Sequence, residues 1–213
     1  MSFWPEFFLI AAVHLMAVAS PGPDFAIVLR YAVRFGRKQA IYASIGIGMA
    51  ILLHVTWSLV GIAVLIKTTP WLFKALSLAA AAYLLYIGVQ AIRSKAPTDA
   101  AHAVGQNTTD VVPSGRKAFI AGFITNGLNP KATLFFLSLF AVIISPVTPL
   151  SYKVIYGLYM SLATTAWFCM LSAILTHTKI RGFLLLKGYW FDRVMGVLLL
   201  ALAMHLVVSS FSS

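Results

Sequence analysis

Apolar residues gather into six runs along the chain, at about 3–29, 40–66, 70–92, 118–144, 154–176 and 190–211. A stretch of ~20 apolar residues is the length of helix that crosses the hydrocarbon layer of a bilayer. In hydrocarbon each backbone N–H and C=O must be bonded within its own segment, which leaves the α-helix as the element for such runs. The pattern predicts an all-α membrane protein with about six transmembrane helices. Between the third and fourth runs, Arg93 to Lys117 is polar, rich in Ala, Thr, Asp, Gly and Pro, and lacks helical periodicity. It reads as a cytoplasmic linker (93–117) between a first three-helix unit (1–92) and a second (118–213).

Two runs carry an interruption. Proline inside a helix removes a backbone hydrogen bond and clashes with the preceding turn, at ~3 kcal/mol or more. Pro21-Gly22-Pro23 does this twice within the first run. In the fourth, Asn129-Pro130 has the form of a helix restart, with Asn as N-cap and Pro at the first helical position. Helices 1 and 4 are therefore expected to be broken, with a simple kink as the alternative. Unwound backbone within a membrane persists only where it is buried in protein or lines a wet cavity. Three spans per unit also means that the second unit enters the membrane from the opposite face, the plan of an inverted repeat. Setting Ser20–Leu29 against Gly127–Phe136 pairs Pro23 with Pro130 and Asp24 with Lys131.

Small residues mark where these helices approach closely. Ala40, Ser44 and Gly48 recur at four-residue spacing in the second run, with Ala43, Gly46 and Ala50 beside them, and Ala118, Gly122 and Asn126 repeat the device in the fourth. Lipid supplies no hydrophobic force between helices, so close backbone packing takes its place.

Composition agrees with the class: 61% of residues are hydrophobic and 10% charged, where soluble domains carry roughly a quarter charged. The net charge of +11 does not indicate nucleic acid, because the basic residues cap apolar runs, where they meet headgroups and set topology. Arg30, Arg34, Arg37, Lys38, Arg93, Lys95, Arg116, Lys117, Lys179, Arg181, Lys187 and Arg193 fall on one side, and Lys67, Lys74 and Lys153 on the other. The positive-inside rule puts the first set in the cytoplasm and both termini outside. Ala17-Val18-Ala19 resembles a signal-peptide cleavage site, but the first charge is Glu6 and no basic n-region precedes it, so the segment reads as an uncleaved first span. Cys169 is the single cysteine, which excludes an intrachain disulfide and a Cys-x-x-Cys redox pair.

The chemistry lies in the few polar residues inside the spans. Lys131 is fourteen residues from both Lys117 and Ser145, ~21 Å along a continuous helix and too far to reach water by snorkelling. Asp24 stands six residues from Arg30, ~9 Å from the cytoplasmic cluster. A charge so deep costs at least ~2.5–3.5 kcal/mol and marks a functional position. Two readings stand: a structural Asp24–Lys131 ion pair, or a substrate and proton site, and the two can alternate during transport. On continuous helices Lys131 counts nearer the outer face and Asp24 nearer the inner. Half-helices starting at Pro23 and Pro130 would both aim positive N-termini inward. With Lys131 they make an anion site beside the cation site of Asp24, an arrangement suited to a zwitterion. Asn126 and Asn129 are candidate cavity-lining residues, and His14, His54 and His205 are either interhelical hydrogen-bonding groups or proton relays. Trp4, Trp71 and Trp190 read as interface anchors.

Pro21-Gly22-Pro23-Asp24-Phe25, the glycine-bearing second run and Gly127-Leu128-Asn129-Pro130-Lys131-Ala132 together resemble the LysE/RhtB family of amino-acid exporters, over essentially the whole chain. The resemblance implies six helices and amino-acid efflux coupled to protons in a bacterial inner membrane. It carries the site onto Asp24, Asn129, Pro130 and Lys131. The expected partners are an amino acid, protons and the bilayer, with no nucleic acid and no cofactor, and homo-oligomerisation is left open. A cation or metal exporter would need more intramembrane carboxylates, Cys or His than one deep Asp24. A passive solute channel of the same fold stays as an alternative. An enzyme would need a nucleophile with its base or a metal-ligand pair such as His-Glu-x-x-His, and none is present.

Overall fold

A computed structural model describes residues 3–20, 22–68, 70–93, 111–144, 147–176 and part of 189–208. The regular elements among the described residues are helices: α1 (Phe3–Ala19), α2 (Pro23–Arg34), α3 (Arg37–Thr68), α4 (Pro70–Ile92), α5 (Gly115–Gly127), α6 (Pro130–Val142) and α7 (Leu150–Ile174). Further helical residues recur between 189 and 208. This is an all-α membrane protein. Arg37–Gly61 and Leu150–Ile174 are each long and apolar enough to cross a bilayer, and α1 with α2 forms a third candidate span, bent by 54° at its break. Most of the expected linker, 94–110, lies outside the described residues.

Both interruptions occur where the prolines put them. Between α1 and α2, Gly22 is fully extended (φ −170°, ψ −164°) and Pro23 opens α2. Between α5 and α6, the Leu128 N–H turns back to the carbonyls of Asn126 and Ile124. Asn129 is extended, its side-chain Oδ1 accepts from the Lys131 N–H at 3.0 Å, and Pro130 is the first residue of α6. This is the N-cap and proline restart expected from the residue types: the cap satisfies an orphan N–H that a broken helix exposes.

The centre of the packing is α3, which touches α2, α5, α6 and α7. Its small residues carry those contacts. A Cβ added at Gly122 of α5 would meet the backbone carbonyl of Ala43, and one at Gly46 would meet the backbone of Phe119 and Phe123. On another side of α3, Gly48 lies against Thr165 and Ser161 of α7, and the Ser161 hydroxyl donates to the Gly48 carbonyl at 2.8 Å. Ser44 and Ser172 are hydrogen-bonded at 3.0 Å between the same two helices. The exterior is apolar. Trp4, Trp57, Trp71, Val60 and Leu162 are each more than half exposed, a surface that suits lipid and that a soluble monomer avoids.

Candidate functional site

The two helix breaks face one cavity. The first contributes Ser20, Gly22, Pro23 and Asp24, and the second contributes Asn126, Asn129, Lys131 and Ala132. His14, Phe135, Phe136, Thr164 and Phe168 complete the wall. The empty space between these walls amounts to about 640 Å³, including the part open to the outside.

Within it, Asp24 Oδ2 accepts hydrogen bonds from Asn126 Nδ2 at 2.9 Å and from Asn129 Nδ2 at 3.4 Å. Lys131 Nζ donates to Ser20 Oγ at 2.9 Å, and lines the same cavity as Asp24. The four candidate residues thus converge, although continuous helices would hold Asp24 and Lys131 at different depths. The breaks remove the discrepancy: α2 starts at Pro23 and α6 at Pro130, so Asp24 and Lys131 each occupy the second position of a half-helix whose N-terminus meets the cavity. Asp24 Oδ1 and Asn126 Oδ1 are buried and have no hydrogen-bond partner among the described residues. A buried acceptor left unpaired costs ~1–3 kcal/mol, so this corner of the cavity is poised to receive hydrogen-bond donors from a ligand.

The histidines separate into distinct settings. His14 is fully buried on the cavity wall, with Nε2 3.1 Å from Thr164 Oγ1. The Nε2 of His54 lies 3.0 Å from the Asn126 carbonyl, and its ring stacks on Phe136 at 5.7 Å with an interplanar angle of 4°. His205 and Pro21 lie outside the described residues. Sequence reasoning missed Ser20 and Thr164. The position of Ser20, directly before Pro21-Gly22-Pro23, was a usable signal, because a hydroxyl at a helix break faces whatever the break lines. Nothing in the sequence separates Thr164 from its neighbour Thr165, which hydrogen-bonds to its own helix at Ser161. Glu6 is a second buried carboxylate that a count from the helix end does not reveal: it accepts from Thr148 Oγ1 at 3.0 Å and Tyr156 Oη at 3.3 Å. Among the described residues, no three His, Cys, Asp or Glu side chains come together as metal ligands.

The family model described as LysE type translocator matches residues 15–210. The chain belongs to that translocator family. Its relatives include the threonine efflux protein of Salmonella typhi, 30% identical over 95% of this chain and 98% of the relative. The threonine efflux protein of Escherichia coli strain K12 is 29% identical over the same shares. The leucine efflux protein of Salmonella choleraesuis is 35% identical over 70% of this chain and 66% of that protein. No solved structure matches significantly. As a LysE type translocator with apolar helices of spanning length, the protein is a multi-pass membrane protein.

Proposed function

We propose that this translocator exports an amino acid or close derivative across a bacterial inner membrane by proton antiport, and binds it between the two broken helices. The observation that carries the reading is the convergence of Asp24, Asn126, Asn129 and Lys131 on one cavity from segments about a hundred positions apart. The efflux of threonine and leucine named for its relatives supports the substrate class.

An α-amino acid carries an ammonium and a carboxylate on one carbon, and the cavity offers a partner to each. The ammonium donates to Asp24 Oδ1 and Asn126 Oδ1, both without a hydrogen-bond partner among the described residues. The carboxylate takes Lys131 Nζ in exchange for Ser20, near the N-termini of α2 and α6, each equivalent to roughly half a positive charge. The substrate side chain lies against Phe135, Phe136 and Phe168. Asp24 holds either the ammonium or a proton, and that competition is the basis of antiport: substrate leaves on the outer side as a proton takes its place, and the proton leaves on the inner side as the next substrate molecule binds. Each charge moved is driven by ~2.3 kcal/mol per 100 mV. The two three-helix units form an inverted repeat with Pro23 equivalent to Pro130, and both termini face the periplasm.

The test is counterflow in proteoliposomes with labelled threonine, leucine and a wider amino-acid panel, followed by an imposed pH gradient. Antiport predicts saturable exchange and uphill movement when the gradient is applied. Exchange that never exceeds equilibration would establish a passive channel, and no exchange with any amino acid would remove the substrate class.

A further inference from the structure

His54 touches the site through a backbone carbonyl, and the reason lies in Pro130. In a continuous α-helix the carbonyl of residue 126 accepts from the N–H of residue 130. Proline has no N–H, so that donor is missing. The Asn129 N–H reaches the carbonyl in a tighter turn at 2.9 Å, and the Leu128 N–H also turns back toward it. His54 Nε2 stands 3.0 Å from that oxygen. A carbonyl only accepts, so the nitrogen facing it carries hydrogen, and the ring is held in the orientation that donates. Its own position is fixed by the stack on Phe136 and by the close packing of α3 on α5 at Ala43 and Gly122.

Asn126, whose carbonyl is held in this way, also presents Nδ2 to Asp24 Oδ2, and its Oδ1 has no hydrogen-bond partner among the described residues. We propose that His54 is a positioning residue for the substrate site: it adds a side-chain donor to the carbonyl that Pro130 cannot bond, and so fixes Asn126 and, through it, the Asp24 carboxylate. The inference rests on the proposed binding of an amino acid at Asp24 and Asn126, and adds a residue that has no contact with the substrate. Without His54 the end of α5 is held by its own backbone alone and loses its tie to α3, so Asn126 no longer presents its amide in one orientation.

Glutamine discriminates this role from others, because its side-chain amide reaches the place of Nε2 but does not titrate, whereas leucine fills the space without a donor. Each variant is purified at full length and assayed by counterflow with whichever labelled amino acid the wild type exchanges fastest. His54→Leu is expected to raise the half-saturating concentration by about tenfold, the size of one hydrogen bond to a buried acceptor, while His54→Gln stays within about threefold of wild type. If His54→Leu fails to fold, His54→Asn serves instead, since its shorter amide does not reach the carbonyl. Wild-type half-saturation in the donor-less variant, or equal impairment in His54→Gln, overturns the proposal. Normal exchange in His54→Gln with loss of pH-driven accumulation also overturns it, in favour of a titrating role. Asp24→Asn run in parallel separates the two levels of inference. If Asp24→Asn exchanges with unchanged half-saturation, the site reading fails and the role of His54 with it. If Asp24→Asn is impaired and His54→Leu is normal, only the role of His54 falls.

Discussion

Asn126 donates its side-chain amide to Asp24 at 2.9 Å across 102 positions of sequence, and this bond ties the break before α2 to the break after α5. Each partner keeps one buried oxygen without a hydrogen bond. Among the described residues the pair is therefore half-satisfied, as the proposed substrate site requires.

Lys131 is the expected carboxylate anchor. Lys131→Ala should abolish export in a cell-based efflux assay at normal expression. Lys131→Arg should retain little, because a planar guanidinium does not replace a compact ammonium on the Ser20 hydroxyl. Full export by Lys131→Ala would remove the carboxylate site from the proposal.

Asp24 is the expected coupling group. Asp24→Asn keeps the size of the side chain and removes its charge, so proteoliposomes should lose pH-driven accumulation while some exchange persists, since exchange moves no net proton. Uphill movement with unchanged pH dependence would make Asp24 structural, and His14 and His54 the next groups to test.

Gly22 has an extended backbone that any residue adopts, so its lack of a side chain serves space instead of conformation. A Cβ there would lie 3.7 Å from Lys131 Nζ, ordinary van der Waals contact. Gly22→Ala should fold normally and export at near wild-type half-saturation. Gly22→Val projects further into the cavity and should raise half-saturation by about tenfold or more, with larger substrates affected most. Equal kinetics for Gly22→Val and wild type would mean that substrate does not pass beside Lys131.

Gly46 and Gly122 face backbone across the α3–α5 contact, and no flexible side chain there can yield. Gly122→Val and Gly46→Leu should each destabilise the protein by about 1–3 kcal/mol or more, read as lower thermal stability in detergent and lower yield. Gly61, which has nothing within 4 Å of an added Cβ, is the control: Gly61→Ala should leave stability unchanged or slightly raised.

The basic residues predict topology. Reporter fusions at Ser213 should report the periplasm, and fusions within Thr98–Thr109 the cytoplasm. A cytoplasmic C-terminus with a cytoplasmic 98–109 segment would mean that a span was miscounted.

The sequence by itself determined the class of the protein, the places where its helices break, and which faces pack. Each follows from a local rule. A run of apolar residues forms a helix in lipid wherever it lies, Pro23 and Pro130 break helices whatever surrounds them, and Ala43, Gly46 and Gly122 admit close neighbours because they are small. The polar candidates were legible for the same reason, since Asp24 and Lys131 are costly in a span irrespective of partner. What only the tertiary structure decided is who meets whom. Counting along helices left Asp24 and Lys131 at different depths, and no local rule pairs Asn126 with Asp24, Ser20 with Lys131, His14 with Thr164 or Glu6 with Thr148. Those contacts depend on the bend between α1 and α2 and on how closely α3 and α5 approach. Both arise from the packing of many residues at once, so they are properties of the assembled bundle, because a hydrogen bond between distant segments has no counterpart in the spacing of either one.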